Sequence, residues 1–222
     1  MPFSEPPIPP FRQMRSRVLD LRFLTADAFV LRLERNGLDF IPGQRLLAGR
    51  GVNLREYSIF SGRDDPYLEI LVKRIEGGAV SPLLASLAPG DELDVSGPEG
   101  DFLTARGGEA PKRLFVASGT GIAPYRCLLR SGTPRDYRLI HGVRHAEERY
   151  CREEFPADRY LSCVSQGGGD FQGRVSDWLR RNPADGPTEC YLSGNSDMIY
   201  ECFSILSGQG IGRERIHAEI YF

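Results

Sequence analysis

The rhythm of hydrophobic and polar positions changes near the middle of this chain. Up to about Ala105 the apolar residues come in short, strand-length runs. Arg15 to Leu21 and Phe29 to Glu34 alternate apolar with polar residues for much of their length, as strands with one buried face do. Arg55 to Ser58 closes another strand-like run, and Tyr67 to Val72 and Glu92 to Val95 continue the series. Gly and Pro punctuate it at Pro42-Gly43, Pro89-Gly90 and Gly97-Pro98. One helix is predicted, over Ser81 to Leu87, with Ser81 as N-cap and Pro82 at the first helical position. Many short antiparallel strands with a single helix predict a small closed barrel.

After Gly107-Gly108-Glu109-Ala110-Pro111 apolar strands alternate with helices. Strands are predicted at Leu114 to Ala117, Leu139 to Val143, Tyr160 to Val164 and Cys190 to Ser193. Helices are predicted at Ala123 to Leu129, Glu147 to Phe155, Val175 to Arg180 and Ser196 to Leu206. Buried strands alternating with helices imply a parallel sheet covered on both faces, and such sheets bind ligands at the carboxyl ends of their strands. The expected organisation is two domains: an antiparallel β-barrel over 1–106 and an α/β parallel-sheet domain over 107–222.

Composition narrows the function without naming it. The 222 residues are 41% hydrophobic and 26% charged, ordinary for a globular protein, and the net charge of −2 gives no global field toward nucleic acid or a membrane surface. No apolar run approaches the roughly 20 residues of a membrane span. Met1 to Pro10 is proline-rich and reads as an extended arm without the features of a signal peptide, so a cytoplasmic location is expected. Cys127, Cys151, Cys163, Cys190 and Cys202 show no C-x-x-C spacing and no C-x4-C-x2-C run. They read as small buried residues, no metal site is expected, and any iron–sulfur partner is a separate protein.

Two segments carry the chemistry. Arg55-Glu56-Tyr57-Ser58 sets a cation and an aromatic ring on one face of a strand and a hydroxyl on the other. Gly119-Thr120-Gly121-Ile122-Ala123-Pro124 joins a buried strand to a helix, where glycines let a pyrophosphate approach the backbone. With Gly78-Ala79-Val80-Ser81, Gly97-Pro98-Glu99-Gly100-Asp101-Phe102, Ser193-Gly194-Asn195-Ser196-Asp197-Met198 and the terminal Glu219-Ile220-Tyr221-Phe222, they form an ordered series. The series resembles the ferredoxin–NADP reductase family, in its bacterial form, from about Met14 to Phe222.

The resemblance implies an FAD-dependent enzyme passing electrons between NAD(P)H and a one-electron carrier such as ferredoxin or flavodoxin. It implies that Tyr57 stacks on the flavin, Ser58 approaches its N5 and Arg55 contacts a phosphate. Gly78, Val80 and Ser81 form a second phosphate-binding turn after the strand Leu71-Val72-Lys73, which also lines the FAD, as does Thr120. Tyr221 covers the other flavin face and Phe222 lies toward the adenine. For the nucleotide it implies Gly119, Thr120 and Gly121 at the pyrophosphate, Arg144, Ser165, Gln166 and Arg174 around the adenosine phosphates, and Gly194, Asn195 and Met198 beside the nicotinamide. Ser58, Ser193, Glu219 and Tyr221 are the candidate catalytic residues.

The chain departs from the family pattern in three places. Ser193 stands where cysteine is usual, Ser196 where proline is usual, and Gln166 where NADP-specific relatives commonly carry arginine. NADP is favoured over NAD, with both open. Two other readings are a reductase component of an oxygenase system and a flavin-binding relay subunit that does not itself use NAD(P)H. From Arg12 to Arg55 there are nine arginines against four acids, a local excess suited to steering an acidic carrier. His141, His145 and His217 read as structural or solvated rather than catalytic.

Overall fold

The computed structural model describes residues 11–103, 112–132, 136–184 and 188–221. The proline-rich arm, the glycine-rich stretch with the 106/107 boundary, and Phe222 lie outside the described residues.

The first half contains β1 (Arg12–Phe23), β2 (Ala28–Glu34), β3 (Arg45–Arg50), β4 (Asn53–Ser58), β5 (Tyr67–Lys73), the short α1 (Ser81–Ala85) and β6 (Glu92–Glu99). All its pairings are antiparallel, in the order β4-β3-β6-β1-β2-β5. The long β1 turns the corner: Arg12 to Arg17 pair with β6, and Val18 to Phe23 pair with β2. A bulge between Val18 and Asp20 supplies the bend. The sheet curls until its edges meet at an antiparallel bridge between Ile59 and Ile70, beside a Phe60 N–H to Glu69 carbonyl bond of 2.8 Å. The barrel therefore closes through a short contact rather than a full ladder.

The second half contains β7 (Lys112–Ser118), α2 (Ala123–Arg130), β8 (Tyr137–Val143), β9 (Tyr160–Val164), the two-residue β10 (Phe171–Gln172), α3 (Val175–Arg181), β11 (Thr188–Asn195), α4 (Ser196–Gly208) and β12 (Ile216–Tyr221). These strands form a wholly parallel sheet in the order β10-β9-β8-β7-β11-β12. The direction of strand addition reverses between β7 and β11, so the crevice where such sheets take ligands opens at the carboxyl ends of those two strands. No helix among the described residues is long and apolar enough to cross a membrane.

The two halves share a core. Phe29, Leu31 and Leu33 fill the barrel, while Ala28 and Val30 on the opposite face of β2 join Phe60 and Leu71 against Phe115, Ala117, Ile122 and Tyr125. This explains why β2 is buried on both faces although its sequence partly alternates.

Two sequence expectations are corrected. Glu147 to Phe155 is not a helix but two single turns, Ala146–Glu148 and Arg152–Glu154, separated by Cys151 in the left-handed region at φ 54. The break lets neighbouring Tyr150 and Cys151 both reach the shared core with Phe155, which one helical face would not permit. Ser81 is not an N-cap. Val80 holds that position without a side-chain cap, and the Ser81 hydroxyl accepts the Ile75 N–H at 2.9 Å instead.

Candidate functional site

The last strand brings its side chains to the barrel. Register sets Ser193 of β11 beside Glu219 and Asn195 beside Tyr221, while Ser58 closes β4 next to Arg45 of β3. At this seam Tyr221 Oη donates to Ser58 Oγ at 2.6 Å, and Ser58 Oγ donates to Glu219 Oε2 at 2.8 Å. Arg45 Nη1 stands 3.8 Å from Glu219 Oε1 and its Nε 3.1 Å from Glu56 Oε2. Burial pushes the Glu219 carboxyl above its usual range, with the Ser58 bond and Arg45 opposing; burial and the neighbouring Glu219 hold the Tyr221 phenol well above its own. Glu219 Oε1 is buried and has no hydrogen-bond partner among the described residues, so the seam retains polar capacity for a ligand.

A test follows from the raised Glu219 pKa. Protonated Glu219 favours the folded state fully below its ordinary 4.5, and that contribution is lost as pH rises through the folded value. Glu219→Gln mimics the protonated form. In thermal melts it should match the wild type in acid and exceed it as pH rises from 4.5 through the folded value, levelling off above it. A difference that stays constant with pH would mean that Glu219 is not held in a desolvated site.

Tyr57 is half-buried against the barrel core, and burial pushes its hydroxyl up to about 12. Arg55 is exposed, with Nη1 donating to the Leu54 carbonyl at 2.8 Å. The Gly78 N–H donates to the Ile75 carbonyl at 3.0 Å, and with the Ser81–Ile75 bond this closes a tight turn ahead of α1. Leu71 and Val72 are buried in β5, and Leu71 belongs to the shared core. Lys73 is not free for a phosphate: it pairs with Asp27 at 3.1 Å and with Glu148 at 3.5 Å.

On the nucleotide side Gly119 to Ile122 form a 3-10 turn that runs directly into α2. Gly121 is required there by close approach, since a Cβ would fall against the Ser193 carbonyl and 2.8 Å from Gly194 Cα. Ser193 is fully buried, and its hydroxyl donates to the Gly121 carbonyl at 2.6 Å. Asn195 caps α4, its Oδ1 accepting from Asp197 and Met198 N–H groups, while Met198 packs into the core between sheet and helices. Arg144, Ser165, Gln166 and Arg174 are all exposed, on the turns after β8 and β9 and at the start of α3. The Gln166 N–H to Arg144 carbonyl bond of 2.8 Å ties the first two turns together.

The sequence reading missed the residue that joins the halves. Arg126 of α2 is 5% exposed; its Nη1 donates to the Phe60 carbonyl at 2.9 Å and to Glu69 Oε2 at 3.0 Å. Its Nε and Nη2 grip Glu154 at 3.0 and 2.8 Å, and the guanidinium lies 4.0 Å over the Phe60 ring. One turn on, Arg130 bonds Asp65 at 2.7 and 2.9 Å. A charged residue inside the apolar run Ala123-Pro124-Tyr125-Arg126-Cys127 was the available signal. Cys151, Glu153 and Glu154 also stand close enough to share an ion, but Glu154 is already engaged by Arg126.

A curled antiparallel barrel packed on a parallel sheet, with a hydroxyl–carboxylate chain at the seam and a glycine turn at the switch point, defines a flavin- and nucleotide-dependent oxidoreductase. The model of the oxidoreductase FAD-binding domain matches residues 24–103. Ferredoxin–NADP reductase B of Sorangium cellulosum is 32% identical over 207 residues, covering 78% of this chain and 84% of that protein. The chain belongs to the ferredoxin–NADP reductase family. The reductase component of propane 2-monooxygenase from Rhodococcus jostii is 28% identical over 234 residues, covering 93% of this chain, which spans 63% of that protein's length. In fold, the chain matches a ferredoxin NADP+ reductase from Neisseria gonorrhoeae with bound FAD and NADP at a TM-score of 0.87, with 21% identity and coverage of 95% of this chain and 99% of that one. This chain is thus an FAD-dependent electron-transfer enzyme that uses a nicotinamide nucleotide and an electron carrier.

Proposed function

We propose that the chain is a reductase exchanging electrons between NADPH and a small one-electron carrier of the ferredoxin or flavodoxin type. The observation that carries this reading is the convergence of Ser58, Glu219 and Tyr221, from the barrel and from the last strand, at the edge of the crevice opened by Gly119 to Gly121. FAD, when bound, supplies the exchange between two-electron and one-electron chemistry. The protein's part is alignment and electrostatics. Tyr57 and Tyr221 supply aromatic surface for the flavin ring, Arg55 and the turn at Gly78 to Ser81 hold its phosphates, and Leu71, Val72 and Thr120 complete the wall. Ser58 holds a proton between the Tyr221 hydroxyl and the Glu219 carboxylate. The family fit of Lys73 is weaker, because its ammonium is committed to two carboxylates. Ser193 acts by fixing the Gly121 peptide.

The domain boundary belongs to the same reading, with 1–106 as the flavin half and 107–222 as the nucleotide half, as does a cytoplasmic location. The arginine excess of the flavin half is partly neutralised by acids from elsewhere in the barrel: Arg15 pairs with Glu92 and Asp94, Arg32 with Glu69, and Arg45 with Glu56. Arg12, Arg22 and Arg50 form no ion pair with a carboxylate among the described residues and are exposed, and these are the cations we assign to an acidic carrier.

The test is dye reduction by the purified, FAD-loaded protein with NADPH and NADH in parallel, followed by ferredoxin and flavodoxin as acceptors. NADPH should give the higher kcat/KM. Gln166→Arg should raise the NADPH-to-NADH ratio at least tenfold, since a well-placed charge-assisted bond contributes roughly 1.5–3 kcal/mol. A ratio unmoved by that change would remove Gln166 from the adenosine phosphate site. No reduction by either nucleotide would leave only a relay role.

A further inference from the structure

His141 is the one fully buried imidazole among the described residues, and the site as assigned gives it no task. It lies in β8, level with Ala117 of β7. Its Nε2 is 2.9 Å from the Gly119 carbonyl and its Nδ1 2.9 Å from the Tyr160 hydroxyl. A carbonyl can only accept, so Nε2 carries the proton and donates, and Nδ1 accepts from the Tyr160 O–H. Burial lowers the imidazole pKa to about 4, consistent with this neutral form near pH 7. The ring of Tyr160, edge-on at 6.0 Å, and that of Tyr150 at 6.3 Å leave the imidazole little room to turn.

The partner of this bond matters. Gly119 is where the chain leaves β7, at φ +52, and the direction of its missing Cβ is open for 4 Å. The second inward carbonyl of the turn, that of Gly121, is taken by Ser193. Two side chains from the flanking strands β8 and β11 thus hold two carbonyls of the turn toward the protein. In a trans peptide the N–H points opposite to the C=O. Fixing the Gly119 carbonyl on His141 therefore fixes the Thr120 N–H in the opposite direction.

We propose that His141 is a positioning residue for the dinucleotide: the hydrogen-bond chain Tyr160–His141–Gly119 sets the first peptide of the turn so that the Thr120 N–H is presented to the pyrophosphate. This rests on the assignment of the Gly119 to Ile122 turn to the nucleotide. The effect is confined to ligands that carry a pyrophosphate, which distinguishes positioning from general support of the fold.

The experiment measures Kd by calorimetry on the FAD-loaded enzyme for NADP+ against the mononucleotide 2′-AMP, and for NAD+ against adenosine as its counterpart, both lacking the bridging phosphates; the pair containing the better-used dinucleotide decides. His141→Asn keeps an amide near the Nδ1 position and loses the donor to Gly119. It should weaken dinucleotide binding roughly tenfold, the size of one lost hydrogen bond, and leave its smaller counterpart within about twofold. KM for the reduced nucleotide should rise by a similar factor with kcat little changed. His141→Gln, whose amide nitrogen reaches the Nε2 position, should restore the dinucleotide to within about threefold of wild type. Tyr160→Phe, which leaves the donor but frees the tautomer, should give a smaller loss of the same kind and decides the matter if the Asn variant does not fold. Equal losses for dinucleotide and counterpart, or no loss for either, would overturn the proposal. Gly121→Ala separates the two assignments. If it weakens the dinucleotide while the His141 variants do not, His141 alone is excluded; if it has no effect, the turn itself is not the pyrophosphate site.

Discussion

Arg126→Met should destabilise the FAD-loaded protein by about 3 kcal/mol, the lower end of what breaking a buried ion pair costs. Methionine fills much of the volume but leaves Glu69, whose side chain is 2% exposed, with Arg32 as its remaining cation, and deprives the Phe60 carbonyl of its donor. Arg32, 2.8 Å from Glu69, and Arg130, 3.4 Å from Glu154, keep the loss from being larger. The consequence reaches the chemistry, because α2 starts at the nucleotide turn and Phe60 follows Ser58 by two residues. Arg126 thus fixes the distance between the two halves of the site. Arg126→Lys keeps the charge but not the planar fork, and should recover only part of the stability and of the reduction rate. Chemical denaturation together with stopped-flow reduction by NADPH reads both quantities. A loss of less than about 1 kcal/mol, the value of an exposed pair, would show that the halves are held by their shared apolar core alone.

The second large effect is expected at Gly194. Its φ of +123 is a conformation that side chains rarely adopt, and a Cβ there would collide with Ser118 Oγ and lie 2.6 Å from the Ser118 carbonyl oxygen. Ser118 Oγ also accepts the Asn195 N–H at 2.9 Å, so the collision strikes the contact that closes β7 on β11. Gly194→Ala must spread the carboxyl ends of the two strands between which the crevice opens. A shift of about 1 Å in a positioning group can cost on the order of a hundredfold in rate. We expect kcat/KM for NADPH to fall by that factor or more, with the flavin absorbance retained. A fall of less than tenfold would mean that these strand ends do not form the floor of the nicotinamide pocket.

Much of this architecture is legible in the residues because the signals are local. Tyr160 to Val164 is an apolar run of strand length and appears as β9 without change, and the glycine-rich turn lies at the switch point as its strand–turn–helix context implies. The elements misread are those whose form depends on distant partners. Glu147 to Phe155 carries helix-forming residues, yet Glu148 turns back to the Arg144 and His145 N–H groups and Glu154 is drawn to Arg126, leaving two isolated turns. β3 went unread, since Arg45, Gly49 and Arg50 interrupt its apolar residues. In the site, the meeting of Ser58 with Glu219 and Tyr221 could be anticipated only through family resemblance. Arg126 was passed over, and His141 was read only as structural or solvated, because burial of a charge or an imidazole is decided by elements far away in the sequence.

The bond between Ser58 and Glu219 spans 161 positions. During synthesis the barrel strands leave the ribosome long before β12 exists, and they can pair among themselves. The Ser58 hydroxyl that they present has neither Glu219 nor Tyr221 to bond until the final strand has docked beside β11. On the proposed assignment of this seam to the flavin, completion of the cofactor site is then a late event in biogenesis.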